Sequence, residues 1–195
     1  MAERFDADYY RRFYEDPSTR VAKPESTARL ARFIGAYLQH LEVRVASALD
    51  FGCGLGWWRA PLEAMFEGLD YVGVEFSEHL CERYGWQQGS IVDYDHGVSV
   101  DLVICQGVLQ YLDDREAKAA IANLARHTKT ALYLEALTEG DWREVCDRNR
   151  TDGSVHLRSI EWYRRQLRPH FRSAGGGLFL SNNSTVALYE LEQAW

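Results

Sequence analysis

The chain has 195 residues and a mass of 22.4 kDa, with 46% hydrophobic and 26% charged residues. That composition excludes wholesale disorder, and the length suffices to bury one core without disulfides or a structural metal. A formal charge of −7 and a pI near 5.4 argue against a nucleic-acid backbone as partner, and no apolar run reaches the roughly 18 residues of a membrane span. The opening segment MAERFDADYYRRFYED lacks the apolar stretch of an export signal, so a cytoplasmic location with no membrane partner is expected. Cys53, Cys81, Cys105 and Cys146 form no Cys-x-x-Cys pair; they are expected to stay reduced, and no metal site is expected.

No internal repeat or Pro- or Ser-rich linker divides the chain, which reads as a single compact domain. The N-terminal part predicts two helices. In the first, Tyr9 faces Phe13 and Tyr10 faces Tyr14 at i,i+4 before Asp16-Pro17 breaks the run. The second spans about 25–40, with Leu30, Phe33, Ile34, Tyr37 and Leu38 on one stripe. Residues 1–44 are therefore expected to form a helical lid, and 45–195 the core. From Val45 the rhythm changes to short apolar runs alternating with helices. Strands are predicted at 45–51, 71–75, 87–91 (weak), 101–105 and 130–137. Helices fall between them: 61–66, one capped by Ser77 and stopped at Gly85, one opened by the Asp113-x-x-Glu116 capping box, and one from Ser159 to Pro169. Phe179-Leu180, the turn Ser181-Asn182-Asn183-Ser184 and Thr185–Leu191 predict a C-terminal hairpin. This alternation implies an α/β fold. A doubly wound, mostly parallel seven-stranded sheet with an antiparallel last strand is expected, and ligands on such sheets bind at the carboxyl ends of the strands.

Two strand ends stand out. Asp50-Phe51-Gly52-Cys53-Gly54-Leu55-Gly56 follows the first strand, and glycines there let the backbone turn sharply and approach a ligand. The loop could also be a tight turn with no ligand. It is not the dinucleotide fingerprint, because Trp57 takes the third glycine's place. Glu75 ends the second strand, 25 positions after Asp50. A carboxylate there can accept hydrogen bonds from both hydroxyls of a ribose, and together with the glycine loop it points to a nucleoside ligand.

With these motifs the sequence resembles the class I S-adenosylmethionine-dependent methyltransferases. LDFGCGLG is similar to their first signature, Glu75 to their acidic strand end, Gln88-Gly89-Ser90-Ile91 to the loop after their third strand, and Asp101–Leu112 to their fourth-strand signature. The resemblance implies a Rossmann-like fold, S-adenosylmethionine as methyl donor, S-adenosylhomocysteine as product and a small-molecule acceptor. It implies that Asp50, the Gly52 carbonyl and the carbonyl of Cys105 or Gln106 take the methionyl ammonium, with Cys53, Gly54 and Gly56 completing the loop. Glu75 takes the ribose; Phe76, Ile91 and Val92 sandwich the adenine. Ser90 stands where an aspartate often holds the adenine amino group, so Asp93 or backbone groups are alternatives for that task, and Tyr111 stands where many small-molecule members have His. Cys53 and Cys105 read as small strand-end fillers, since nothing places a base beside either.

Two regions can cover the strand ends. Tyr10 and Tyr14 on the first helix either close over the cofactor or pack on the flank of the sheet. The stretch 138–158 is too long for a simple connection; its arginines suggest an anion pocket, whereas its balancing acids favour a solvated helix with internal ion pairs. Within reach of an acceptor, His156 is the best base candidate, Glu135 could orient an amine or hydroxyl, and Tyr14 could position the acceptor. The functional expectation is methyl transfer to a small molecule by in-line displacement. The alternatives are a nicotinamide-dependent oxidoreductase on the same sheet and a non-catalytic S-adenosylmethionine binder.

Overall fold

The protein is described by a computed structural model covering residues 5–193; residues 1–4 and 194–195, the outer ends of the expected lid and core, lie outside the described residues. The strands are β1 (Ser47–Phe51), β2 (Asp70–Glu75), β3 (Gln87–Gln88), β4 (Val100–Gln106), β5 (Thr128–Glu135), β6 (Phe171–Gly175) and β7 (Leu178–Ser181). The helices are α1 (Ala7–Tyr10, continued by a π turn over Arg11–Glu15), α2 (Pro24–His40), α3 (Arg59–Glu63), α4 (Glu78–Tyr84), α5 (Asp114–His127), α6 (Glu139–Glu144) and α7 (Ile160–Leu167). The strands form one seven-stranded sheet in the order β3-β2-β1-β4-β5-β7-β6, in which β7 alone runs antiparallel, between β5 and β6.

Period-2 alternation splits the apolar strand residues between two cores. Leu49, Phe51, Val103, Cys105, Leu132 and Leu134 face α5 and α7, meeting Ile121, Leu124, Tyr163 and Leu167. Ala48, Leu102, Ile104, Ala131 and Tyr133 face α2 and α3, meeting Ala31, Ile34, Leu38 and Leu62. Both faces are covered, so the central strands are continuously apolar. Local signals close the elements as expected. Asp113 Oδ1 accepts from Glu116 N at 2.8 Å while Glu116 Oε2 accepts from Asp113 N at 3.1 Å, and Gly85 ends α4 at φ +73°.

The hairpin is displaced from its expected position. It is formed by β6 and β7 around Gly175-Gly176-Gly177, and residues 185–191 form no strand. All three glycines have positive φ (84°, 59° and 81°), a run that a side chain would strain. Ser181–Ser184 makes only a local bend, closed by Ser184 N donating to Ser181 O at 2.9 Å, and Val186 and Leu188 then pack half-buried on the α2 side. The third strand is two residues long where five are expected, because the chain turns at Ser90, whose carbonyl accepts from Asp93 N and Tyr94 N. No helix among the described residues is long and apolar enough to cross a membrane.

Candidate active site at the carboxyl edge of the sheet

Strand order reverses direction at β1, whose neighbours β2 and β4 lead to opposite halves of the sheet, and a crevice opens beyond the carboxyl ends at such a point. Here it is a cavity of about 670 Å³, walled by the loops after β1, β2, β4 and β5 and roofed by residues 5–22.

The glycine loop forms its floor. Gly52 N and Cys53 N both donate to Val74 O, at 2.8 and 3.3 Å, pinning the loop to β2. Gly52 sits at φ +69°, and a Cβ there would lie 2.4 Å from Val108 Cγ2, so no other residue fits. Around Gly54, by contrast, the nearest atom to an added Cβ is 3.8 Å away, which leaves the backbone open to the cavity. Gly56 is absent from the lining; it makes room for Trp86, whose ring would be 2.6 Å from a Cβ.

Two buried carboxylates stand at this end. Glu75 is only 4% exposed: Oε1 accepts from Phe76 N (2.8 Å), Ser77 N (2.9 Å) and the Tyr10 hydroxyl (3.3 Å), while Oε2 accepts from Gly54 N (2.9 Å). It ties the glycine loop to the start of α4. Asp50 is 2% exposed and accepts from the Tyr71 hydroxyl. Burial pushes its pKa up to about 7, the Tyr71 hydrogen bond opposing and the nearby Glu75 charge adding to the rise. A carboxyl balanced between its two forms at neutral pH, unpaired with any cation, is suited to receive one.

Phe76, Ser90, Ile91 and Val92 line the next section; Asp93 does not, leaving Ser90 as the hydroxyl there. Gln106 also lines the cavity, held by Trp58 Nε1 donating to its Oε1 at 2.8 Å and by its own Nε2 donating to Glu135 Oε2 at 3.1 Å. Cys105 is fully buried inside the sheet and off the lining, so of the alternative pair only Gln106 faces the cavity. Burial raises the thiol pKa of both Cys105 and Cys53, which keeps them protonated and inert.

The roof is aromatic. Besides Tyr10 on Glu75, the Tyr9 and Tyr111 hydroxyls meet at 2.8 Å, Tyr14 lies 6.1 Å from Trp57 between ring centres, and Phe5 lies 5.2 Å from Tyr111. Two polar ties hold the segment down: Ser77 Oγ donates to Phe5 O at 2.5 Å, and Arg83 pairs with Glu15 at 2.6 Å. Ser77 thus anchors the roof and makes no side-chain cap on α4. Burial drives the phenols of Tyr9, Tyr10 and Tyr14 well above their ordinary pKa, so Tyr14 faces the cavity as a neutral donor and acceptor and not as a base.

At the far end, Glu135 lines the cavity, with Oε2 accepting from Tyr133 OH at 2.9 Å. His156 does not: its side chain is exposed outside the lining, and its backbone N–H donates to Gln110 O at 2.7 Å. The anion-pocket reading of 138–158 fails on the same grounds. Arg158 is buried, its guanidinium bound to Asp114 and to the carbonyls of Leu109, Leu112 and His156. Arg143 pairs with Glu144, Arg150 with Asp147, and Arg148 donates to Trp142 O. Sequence reasoning passed over Gln110, Asp141, Asp147 and Asp152 as wall residues. The one signal for them was the unusual length of the segment after β5.

The reversal of strand order at β1, the antiparallel β7 inserted beside β5 and the glycine loop with paired acids define the class I methyltransferase fold. Residues 49–130 match the methyltransferase domain family. The fold is shared with DesVI of Streptomyces venezuelae (18% identity, TM-score 0.63, 90% of this chain and 97% of that one). It is also shared with the magnesium protoporphyrin IX methyltransferase of Synechocystis PCC 6803, solved with bound S-adenosylhomocysteine (17% identity, TM-score 0.64, 92% and 95%). The sugar N-methyltransferase KedS8 of Streptoalloteichus is 26% identical over 63% of this chain and 53% of that one, with a TM-score of 0.50. No curated protein matches the chain in sequence. The family match is confined to residues 49–130, and the fold as a whole is one that has been solved with bound S-adenosylmethionine.

The cavity suits that cofactor. S-adenosylmethionine needs acceptors for an ammonium and for two ribose hydroxyls, and the glycine-loop end offers the carboxylates of Asp50 and Glu75.

Proposed function

We propose that this chain is an active enzyme that moves a methyl group from S-adenosylmethionine to a small molecule bound between the aromatic roof and the loops after β4 and β5. The observation that carries this reading is the continuity of one cavity from the glycine loop, where a nucleoside can be held, to the Glu135 end, where an acceptor has room. The cofactor supplies an electrophilic methyl group on a sulfonium when bound. The chain's own residues bind, orient and exclude water. Asp50 and the Gly52 carbonyl receive the ammonium, and Glu75 receives the ribose. Phe76, Ile91 and Val92 enclose the adenine, with Ser90 at its polar edge. Holding an acceptor in line with the S–CH₃ bond supplies roughly 7 kcal/mol or more of the barrier without covalent help.

Residues 5–22 act as a lid in this reading. α2 is not part of it, since Ala31, Ile34 and Leu38 belong to the core. Acidic charge and the family resemblance support a cytoplasmic small-molecule enzyme with no nucleic-acid partner. The test has two arms. Thermal-shift titration with S-adenosylhomocysteine and NAD should raise the melting temperature with the first alone, and isotope-labelled S-adenosylmethionine should transfer label into a metabolite extract. Stabilisation by NAD alone would overturn the cofactor reading, and label that never leaves the cofactor would reduce the chain to a binder.

A further inference from the structure

We propose that the acceptor is an amine, bound as its ammonium form against a carboxylate-lined, tyrosine-faced wall. The inference rests on the methyltransferase reading above and specifies which acceptor that cavity takes.

The charges around the cavity are unevenly distributed. Asp50 and Glu75 occupy the glycine-loop end, and the remainder is lined by five more acids, Glu135 and Asp152 among them, against a single basic residue, Arg150, among the described residues. That arginine is already paired with Asp147 at 3.7 Å. The other three arginines of 138–158 are bound elsewhere, Arg158 most completely. An anionic acceptor such as a carboxylate or phosphate would meet no available cation and several like charges.

Not every acid is available. Asp141 caps α6 through Thr138, and Glu116 caps Asp113. Asp147 pairs with Arg150 and Asp152 Oδ1 accepts from Ser154 N at 3.0 Å, so beyond the glycine-loop end Glu135 is the acid with an oxygen to offer. Glu135 has Oε2 fixed by Gln106 and Tyr133, and Oε1 carries no hydrogen bond among the described residues. Asp152 lies close enough to Tyr9 and Tyr14 to act on both phenols.

The aromatic surface points the same way independently. Tyr9, Tyr14, Tyr111 and Trp57 line the same cavity as a cluster of aromatic rings, and such rings attract cations, most strongly where water is excluded. Because the phenols stay protonated, they also offer neutral oxygens to N–H donors.

The chemistry fits this electrostatic arrangement. A carboxylate first takes one proton from the bound ammonium, giving the neutral amine. The nitrogen lone pair then forms the N–C bond as the C–S bond breaks with its electron pair left on sulfur. Positive charge passes from sulfur to nitrogen, toward the acids; the product leaves as the methylated ammonium, and the carboxylate passes the one proton it took to water. A wall of fixed carboxylates stabilises charge developing in that direction.

The experiment is calorimetry on the full chain saturated with S-adenosylhomocysteine, at pH 7, with 2-phenylethylamine, 2-phenylethanol and 3-phenylpropionate as probes of one skeleton. The amine should bind about tenfold or more tighter than the alcohol, in keeping with a charge-assisted hydrogen bond, and the carboxylate should not bind. Glu135→Gln should weaken the amine several-fold while the alcohol moves less than twofold; if the variant melts early, loss of amine affinity with added salt gives the same reading on the parent. Equal affinity for amine and alcohol, preference for the carboxylate, or binding of none of the three overturns the amine assignment while leaving the methyltransferase reading intact. Failure of S-adenosylhomocysteine to bind in the first step overturns the reading on which it rests.

Discussion

Replacing Glu75 by alanine removes a ribose acceptor, but the larger effect is on the fold. The carboxylate accepts from the backbone N–H groups of Gly54, Phe76 and Ser77 and from the Tyr10 hydroxyl, all in a site 4% exposed. Each buried donor left without an acceptor costs about 1 to 3 kcal/mol. If two of the four regain water through the vacated volume, the loss is about 4 kcal/mol, which at 2–4 °C per kcal/mol for a chain of this size lowers the melting temperature by about 8 to 16 °C. Tyr10→Phe deletes only the long 3.3 Å bond and should cost about 1 kcal/mol or less. Differential scanning calorimetry on the parent and both variants measures this, and titration with S-adenosylhomocysteine at 15 °C then reads the binding loss on folded protein. A Glu75→Ala melt within about 3 °C of the parent would refute the argument that this carboxylate ties the glycine loop to α4.

Asp50, with its pKa pushed up to about 7, makes both stability and binding depend on pH. Since the folded state holds this proton more tightly than the unfolded chain, the group's contribution to stability is full below about pH 4 and is lost as pH rises through 7. An ammonium bound beside it favours the charged form, so affinity for S-adenosylhomocysteine should fall by up to about tenfold per unit below pH 7; calorimetry in buffers of different ionisation enthalpy should detect proton release, and pH-independent affinity would count against the Asp50 assignment. Hydrogen exchange over residues 5–20 should slow when S-adenosylhomocysteine is added, and deletion of 1–20 should abolish methyl transfer while keeping a cooperative melt; full activity of the truncated chain would make the aromatic segment mere packing. Arg158→Met should lower stability by about 3 kcal/mol or more, because it strips the carbonyls of Leu109 and Leu112 of their donor, and a denaturant midpoint equal to the parent's would refute that role.

What the sequence by itself determined is the part governed by short-range rules. The central strands β1, β2, β4 and β5 are continuous apolar runs that only a doubly covered parallel sheet can bury. The turn after β1 takes φ +69° at position 52, a conformation that favours glycine. Caps such as Asp113 with Glu116 are set within four residues. The glycine loop and Glu75 were legible for the same reason: both lie at fixed offsets from strands whose ends the sequence marks. Tertiary structure decided what depends on distant partners. The Ser-Asn-Asn-Ser turn and the triple glycine are both good turn signals, and pairing of Leu178, Phe179 and Leu180 with β5 selected the second. His156 is the best base candidate on paper, yet burial of Arg158 directs the 138–158 stretch so that His156 faces outward and three aspartates line the cavity. Tyr10 reaches Glu75 across 65 positions of sequence. No periodicity encodes that separation, because it arises only when the roof is laid across the carboxyl edge of a sheet already formed.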